Sequence, residues 1–323
     1  MRPNPTRAAL LAEVLTCERG DFADTVPVMN SISRRTFLAG TITVPAVLSA
    51  CGTSNAKSAT GTAAGGSLPK GKIELIRFNA DGYLSTGKQR LPVGLADAKG
   101  VVVTAGPPAL TARVLDSSGK VVGADLTAGR RGDGMPRPFW PFQMAITTPG
   151  VYQLQVDTNG KDKAVLAFSV VEPSKVPTPK PGDQLRFIDT PTVNKPLGVD
   201  PICTRNPDCP FHSVSLKDAQ SLGKPIVYLV STPAHCQFAV CGPVLDFLIE
   251  EQKRIGDKIV VIHQEVYKDD GGTIPTDAMD SYGLTFEPVL FLADATGKVV
   301  ERYDVLFDQK ELGAALDTLV AAK

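Results

Sequence analysis

One stretch constrains this chain more than any other. It runs Lys-Pro-Ile-Val-Tyr-Leu-Val-Ser-Thr-Pro-Ala-His-Cys-Gln-Phe-Ala-Val-Cys-Gly-Pro, from Lys224 to Pro243. The apolar, β-branched run Ile226 to Val230 predicts a buried strand. Ser231, Thr232 and Pro233 break it. Cys236 and Cys241 follow, and then Val244, Leu245, Leu248 and Ile249 recur at helical spacing. A cysteine between a strand end and a helix start meets unpaired N–H groups and partial positive charge, and both favour thiolate over thiol. In a regular helix, residues five apart have Cα atoms roughly 8 to 9 Å apart. A disulfide needs less than about 7 Å. Cys236 and Cys241 therefore bridge only if the residues between them form a loop. Pro243 favours that reading, because proline suits the first turn of a helix that starts after Cys241.

With 323 residues the chain has room for two domains. Its 34 basic and 34 acidic residues cancel, which argues against a nucleic-acid partner or an electrostatically held membrane surface. The six cysteines, Cys17, Cys51, Cys203, Cys209, Cys236 and Cys241, are too sparse for a disulfide scaffold and not spaced like a zinc ribbon. Their meaning depends on the compartment.

The N-terminus supplies that compartment. Residues 1–28 have no export character and are read as an extension ahead of a start at Met29, which sets Cys17 aside. Residues 29–51 then give a positive region, a short apolar run and a small-residue cleavage site. Ser33-Arg34-Arg35-Thr36-Phe37-Leu38 resembles a twin-arginine export signal, with Ala39 where that signal usually has a basic residue. Leu48-Ser49-Ala50-Cys51 resembles a bacterial lipobox, and this resemblance implies a lipid on Cys51. The apolar run is too short to span about 30 Å of hydrocarbon. Residues 52–70, rich in Ser, Thr, Ala and Gly, read as a flexible tether. The expectation is an exported protein, lipid-anchored to the outer face of the cytoplasmic membrane in the cell envelope, where disulfide chemistry is possible.

Residues 71–172 read as an all-β domain. Short runs at Lys72–Phe78, Gly100–Thr104, Leu110–Leu115, Met144–Thr147, Tyr152–Val156 and Ala164–Val171 are separated by turn signals such as Asp116-Ser-Ser-Gly119 and Asp157-Thr-Asn-Gly160. Leu110, Ala112 and Val114 alternate with polar neighbours, as do Tyr152, Leu154 and Val156, marking sheets with one solvated face. About six such strands resemble an immunoglobulin-like sandwich without its cysteine pair. Arg130-Arg131 with Phe139-Trp140-Pro141-Phe142 forms either a recognition loop or a packing segment. Residues 173–200, with Pro173, Pro177, Pro179 and Pro181, read as a linker. Beyond it, Cys203 and Cys209 flank a proline turn and are expected to close a small second disulfide. The alternative is a metal site with His212.

From Val214 helix and strand alternate. Ser215–Gly223 predicts a short helix, Lys258–Val266 a second strand, Pro288–Ala293 a third and Val299–Tyr303 a fourth. A last helix is capped by Asp308, with Glu311 returning the bond and Leu312, Leu316, Leu319 and Val320 buried. Strand, cysteine-bearing helix, strand, and then Phe286-Glu-Pro-Val-Leu-Phe-Leu-Ala-Asp-Ala-Thr-Gly-Lys-Val-Val300 together resemble the thioredoxin superfamily over roughly residues 214–321. The fold class expected is thus multidomain: an N-terminal all-β immunoglobulin-like sandwich plus a C-terminal α/β thioredoxin-like domain, residues 201–323. The resemblance implies a cis Pro288 facing the reactive cysteine, with Cys236 as nucleophile. The chain departs from the family in having four residues between its cysteines and no acidic residue on the preceding strand. His235, or His263 with Glu265, is then expected to carry protons.

The expected function is thiol–disulfide oxidoreduction on protein thiols or disulfides of the cell envelope. Cys236 attacks, Cys241 resolves and Pro288 shapes the groove. No cofactor is needed. Three alternatives stay open: a structural disulfide in a protein-binding module, a thiol peroxidase, and a copper-binding or copper-delivery module in which Cys236 and Cys241 are joined by a histidine, of which only His263 lies beyond the pair.

Overall fold

The computed structural model describes residues 68, 71–78, 82–158, 163–236 and 238–322. Contacts divide the chain into Met1–Ala56 and Lys57–Lys323, and every described residue lies in the second unit. The expected export signal with Arg34 and Arg35, the expected lipidation site Cys51, and Cys17 lie outside the described residues. No helix among the described residues is long and apolar enough to cross a membrane.

In chain order the strands are β1 (Ile73–Arg77), β2 (Leu84–Ser85), β3 (Gly87–Asp97), β4 (Ala109–Asp116), β5 (Val121–Gly129), β6 (Trp140–Ile146), β7 (Gly150–Asp157) and β8 (Lys163–Val171). They form a three-stranded sheet, β1-β3-β6, and a five-stranded sheet, β2-β8-β7-β4-β5. Inward residues of both sheets, among them Leu91, Trp140, Phe142, Leu154 and Phe168, make one core. β4 keeps the alternation of a half-solvated strand. β3 does not. Leu91 to Ala96 are buried without a break, because the second face of this sheet is covered by the rest of the chain.

That remainder contains α1 (Leu216–Ala219), β9 (Ile226–Val230), α2 (Cys241–Ile255), β10 (Val260–Gln264), α3 (Asp277–Tyr282), β11 (Val289–Ala293), β12 (Val299–Asp304) and α4 (Gln309–Ala321). Its sheet runs β10-β9-β11-β12, with β10 parallel to β9, and β11 antiparallel to both β9 and β12. All five residues of β9 are buried, as expected of a central strand. Apolar residues of α2 and α4, including Leu245, Leu248, Leu312 and Leu316, pack with Val227, Leu229, Leu290 and Leu292 on one face.

The fold class expected from sequence is corrected. Among the described residues twelve strands stand against four α-helices, and two of those helices have only four and six residues. The molecule is β-rich, and its sheets share one compact unit. The alternation of strand and helix after Val214 fixes a local order of elements, which is present. It does not fix a thioredoxin-like α/β domain.

The contact between the sheets explains other departures. Arg90 donates from Nη2 and Nε to the two carboxylate oxygens of Glu311, at 2.8 and 3.1 Å, and to the Leu306 carbonyl. Glu311 is therefore paired across the molecule, while Asp308 alone caps α4 by accepting from the Glu311 N–H. Arg131 pairs through its backbone with Phe139, and Trp140 is fully buried, so this segment packs rather than forming a recognition loop. The proline-rich stretch is likewise a packed strap. Gly182 and Leu185 donate to the Val299 and Gly297 carbonyls, and Val176, Leu185 and Val199 are buried. Gly100–Thr104 contributes only an isolated bridge at Val102.

Candidate functional site

Ser231 and Thr232 leave the end of β9, and a turn carries the chain through His235 to Cys236. The following loop includes Ala239 at φ 54, a left-handed conformation, and α2 opens on Cys241 itself. The loop the cysteine spacing requires is therefore present. Because Cys241 is the first residue of the helix, its N–H is one of the unpaired donors. It donates to Cys236 Sγ at 3.3 Å.

The two sulfurs sit in different surroundings. Cys236 is half-buried and Cys241 fully buried, and both are free thiols. The Cys241 thiol, donating to Cys236, does most to lower the Cys236 pKa, which stands at about 6. Backbone N–H groups of Cys241, Val240 and Phe238 add to this, while partial burial opposes it. Burial, followed by the neighbouring Cys236 thiolate, pushes Cys241 strongly up. One sulfur is a half-buried thiolate and the other a buried thiol.

Glu287 completes the site. A carboxylate oxygen of Glu287 and both sulfurs lie within 4.8 Å of one another. Burial, and then the Cys236 thiolate, raise the Glu287 carboxyl to about 7. Sequence reasoning missed this residue by seeking the acid on the strand before the nucleophile. It stands instead beside Pro288, whose peptide bond with Glu287 is cis as expected. Phe238, Tyr267, Met279, Phe286 and Glu287 line an adjoining cleft of about 240 Å³. A larger cavity of about 500 Å³, lined by residues including Gln89, Lys180 and Arg302, includes no cysteine in its wall.

His235 is not part of this group. Its ring lies edge-on to Tyr267, with centroids 5.7 Å apart, and its Nε2 is buried without a hydrogen-bond partner. Gly272, at φ +65, makes room for it, since a Cβ there would stand 2.8 Å from the ring. Glu287, and not His235, is the residue grouped with the two sulfurs among the described residues. On the far side of the loop, Phe238 meets Phe78 of the β1 region edge-to-face at 5.9 Å, so the N-terminal sheets buttress the loop that carries Cys236.

The other expected residues gather elsewhere. Cys203 and Cys209 are free thiols rather than a second disulfide. Both lie with His212 and His263 in a buried cluster whose ligand atoms are all within 4.8 Å of one another. His263, on β10, is thus drawn to this cluster rather than to Cys236 and Cys241. Glu265 belongs to the same neighbourhood. It accepts from the Thr204 N–H and hydroxyl, and Thr204 Oγ1 accepts from the Ala234 N–H at 3.1 Å. The segment after Cys203 is thereby tied to the turn that leads to Cys236.

No protein-family model matches the sequence, and no curated protein is similar to it. Among solved structures, similarity is found to the BSP domain of a biofilm-associated protein, at 19% identity and TM-score 0.23, over 35% of this chain and 18% of that one. Trypsin-activated alpha-2-macroglobulin from Escherichia coli is similar at 16% identity and TM-score 0.25, over 41% and 9%. A conjugative transposon lipoprotein from Bacteroides eggerthii is similar at 11% identity and TM-score 0.19, over 30% and 95%. The chain spans less than a fifth of the first two proteins it resembles. None of these likenesses points to a thioredoxin-like domain, and at such TM-scores none carries a functional argument.

Proposed function

We propose that this protein is a thiol–disulfide oxidoreductase acting on protein thiols or disulfides. The observation that carries the reading is the asymmetric pair: a half-exposed Cys236 with its pKa at about 6, in front of a buried Cys241 thiol at the start of α2. At pH 7 a thiol of that pKa is about 90% thiolate, the form that attacks disulfides.

Cys236 Sγ attacks one sulfur of a partner disulfide. The partner S–S bond breaks, and its second sulfur leaves as a thiolate that takes a proton from water. Glu287, titrating near neutrality, accepts the Cys241 proton. The Cys241 thiolate then attacks Cys236 Sγ, forming the Cys236–Cys241 disulfide and releasing the other partner thiolate. Two electrons pass from the dithiol to the partner, and the reverse course oxidises a partner dithiol. The cleft beside Glu287, of mixed polar and apolar lining, accommodates the partner chain. The exported, lipid-anchored setting belongs to the same reading and rests on the sequence around Arg34, Arg35 and Cys51. Labelled fatty acid should enter the chain and be lost in Cys51→Ala, and equal labelling of that variant contradicts the anchor.

The exchange step is tested by trapping. Cys241→Ala should accumulate mixed disulfides with envelope proteins through Cys236, and Cys236→Ser should accumulate none. Equal trapping by both variants, or by neither, defeats the proposal.

A further inference from the structure

Cys203, Cys209, His212 and His263 are 5%, 5%, 3% and 0% exposed. They come from three places: the segment after the strap, the turn that follows it, and the C-terminal part of β10. Buried polar groups of this kind need partners, and two thiols with two imidazoles supply few to one another. Their ligand atoms converge nevertheless. His263 Nδ1 lies 3.3 Å from His212 Nε2, 3.4 Å from Cys209 Sγ and 3.9 Å from Cys203 Sγ, while His212 Nε2 lies 3.2 Å from Cys209 Sγ. A hydrogen bond between the imidazoles accounts for one of these approaches, but not for four donor atoms around a common centre.

A tetrahedral zinc ion accounts for all of them. With Zn–S of about 2.3 Å and Zn–N of about 2.0 to 2.1 Å, tetrahedral angles place ligands about 3.4 Å apart for N–N and about 3.6 Å apart for S–N. The observed N–N distance is 3.3 Å, and the S–N distances scatter from 3.2 to 3.9 Å around the expected value. The outer side of His263 is arranged to match. Its Nε2 faces the Ser231 carbonyl at 3.2 Å and the Ser231 hydroxyl at 3.0 Å. A proton on Nε2 satisfies that carbonyl and leaves a lone pair on Nδ1, turned toward the cluster. Orientation of a ligating histidine by a carbonyl on its other nitrogen is the usual support of a metal site.

We propose that Cys203, Cys209, His212 and His263 form a zinc site, independent of the Cys236–Cys241 reading. Two thiolates and two imidazoles are the donor set of a Cys2His2 structural zinc site. All four ligands are buried and come from protein, so the site is closed and structural rather than catalytic. Its role is to fasten the segment from Cys203 to His212 onto β10 and the end of β9. Through Thr204 it also steadies Ala234, two residues before Cys236.

The test uses the full chain purified under reducing conditions, with elemental analysis, and cobalt(II) loading read by visible absorption. The wild type and Cys236→Ser/Cys241→Ser should each carry one zinc per chain. Cobalt(II) in either should show the intense ligand-field bands of tetrahedral coordination, with thiolate-to-metal charge transfer. Cys203→Ser/Cys209→Ser should fall to background metal. Removing zinc from the wild type with a chelator should lower the melting temperature. The proposal is overturned if the wild type neither carries zinc nor gives the tetrahedral cobalt spectrum. It is also overturned if zinc survives in Cys203→Ser/Cys209→Ser, or if copper occupies the site in its place.

Discussion

Replacing Cys241 by alanine isolates the interaction that most favours the Cys236 thiolate. The variant removes the buried thiol whose hydrogen bond is the largest cause of the low pKa, but keeps the backbone N–H that donates at 3.3 Å. A hydrogen bond to a charged group contributes about 1.5 to 3 kcal/mol, and a thiol is a weak donor, which places this one near the lower end. At about 1.4 kcal/mol per pKa unit, Cys236 should move from about 6 to roughly 7, with 8 as the limit. The thiolate fraction at pH 7 then drops from about 0.9 to about 0.5, or to about 0.1 at that limit. The assay is the pH dependence of iodoacetamide alkylation, followed at the Cys236 peptide by mass spectrometry. The alkylation midpoint should rise by about one unit or more, with the high-pH rate little changed. An unchanged midpoint refutes the assignment of the low pKa to Cys241.

Glu287→Gln tests the proton acceptor. A carboxyl raised to about 7 in the folded protein and near 4.5 when unfolded contributes stability below about pH 4.5, and loses it as pH rises through 7. The melting temperature of Glu287→Gln relative to wild type should therefore climb between pH 4.5 and 7 and level off above, whereas a pH-independent difference contradicts the reading. Near pH 6 Glu287 is mostly protonated, so the alkylation midpoint of Cys236 in the same variant should stay close to about 6. Glu311→Ala breaks an ion pair whose side chains are only 7% and 10% exposed. Leaving Arg90 buried without its partner should destabilise the protein by about 3 to 5 kcal/mol, or on the order of 10 °C in melting temperature. Arg90→Met/Glu311→Leu should lose less than Glu311→Ala. A larger loss in the double variant shows that the pair is not what joins the sheets.

Local pattern was enough to place the elements around the site. The run Ile226–Val230 lies at the centre of a sheet, and the alternation at Leu110 and Tyr152 marks half-solvated strands. What sequence did not disclose depends on contacts far apart in the chain. β3 escaped notice because Pro92 and Gly94 interrupt a run whose second face is covered by residues some two hundred positions away. The strap at 173–200 has the composition of a linker, and only its hydrogen bonds to Gly297 and Val299 make it part of the sheet edge. The helix boundary was nearly legible. Pro243 implied a helix beginning after Cys241, and it begins one residue earlier, so Cys241 itself gains the end of the helix. The four-residue cluster was half legible. Cys203, Cys209 and His212 lie close in sequence, but His263 arrives on another strand. Glu287 was hidden by its neighbour, because Pro288 drew attention to a backbone feature and away from the acid before it.

The most direct test of the central claim is the reduction potential of the Cys236–Cys241 pair. The protein is equilibrated with glutathione buffers and its thiols are mapped by mass spectrometry. A helix-start thiolate backed by a buried thiol predicts a midpoint between about −120 and −270 mV, the span of exchanging dithiols. A pair still oxidised below about −300 mV is a structural bridge, and that result contradicts the oxidoreductase account.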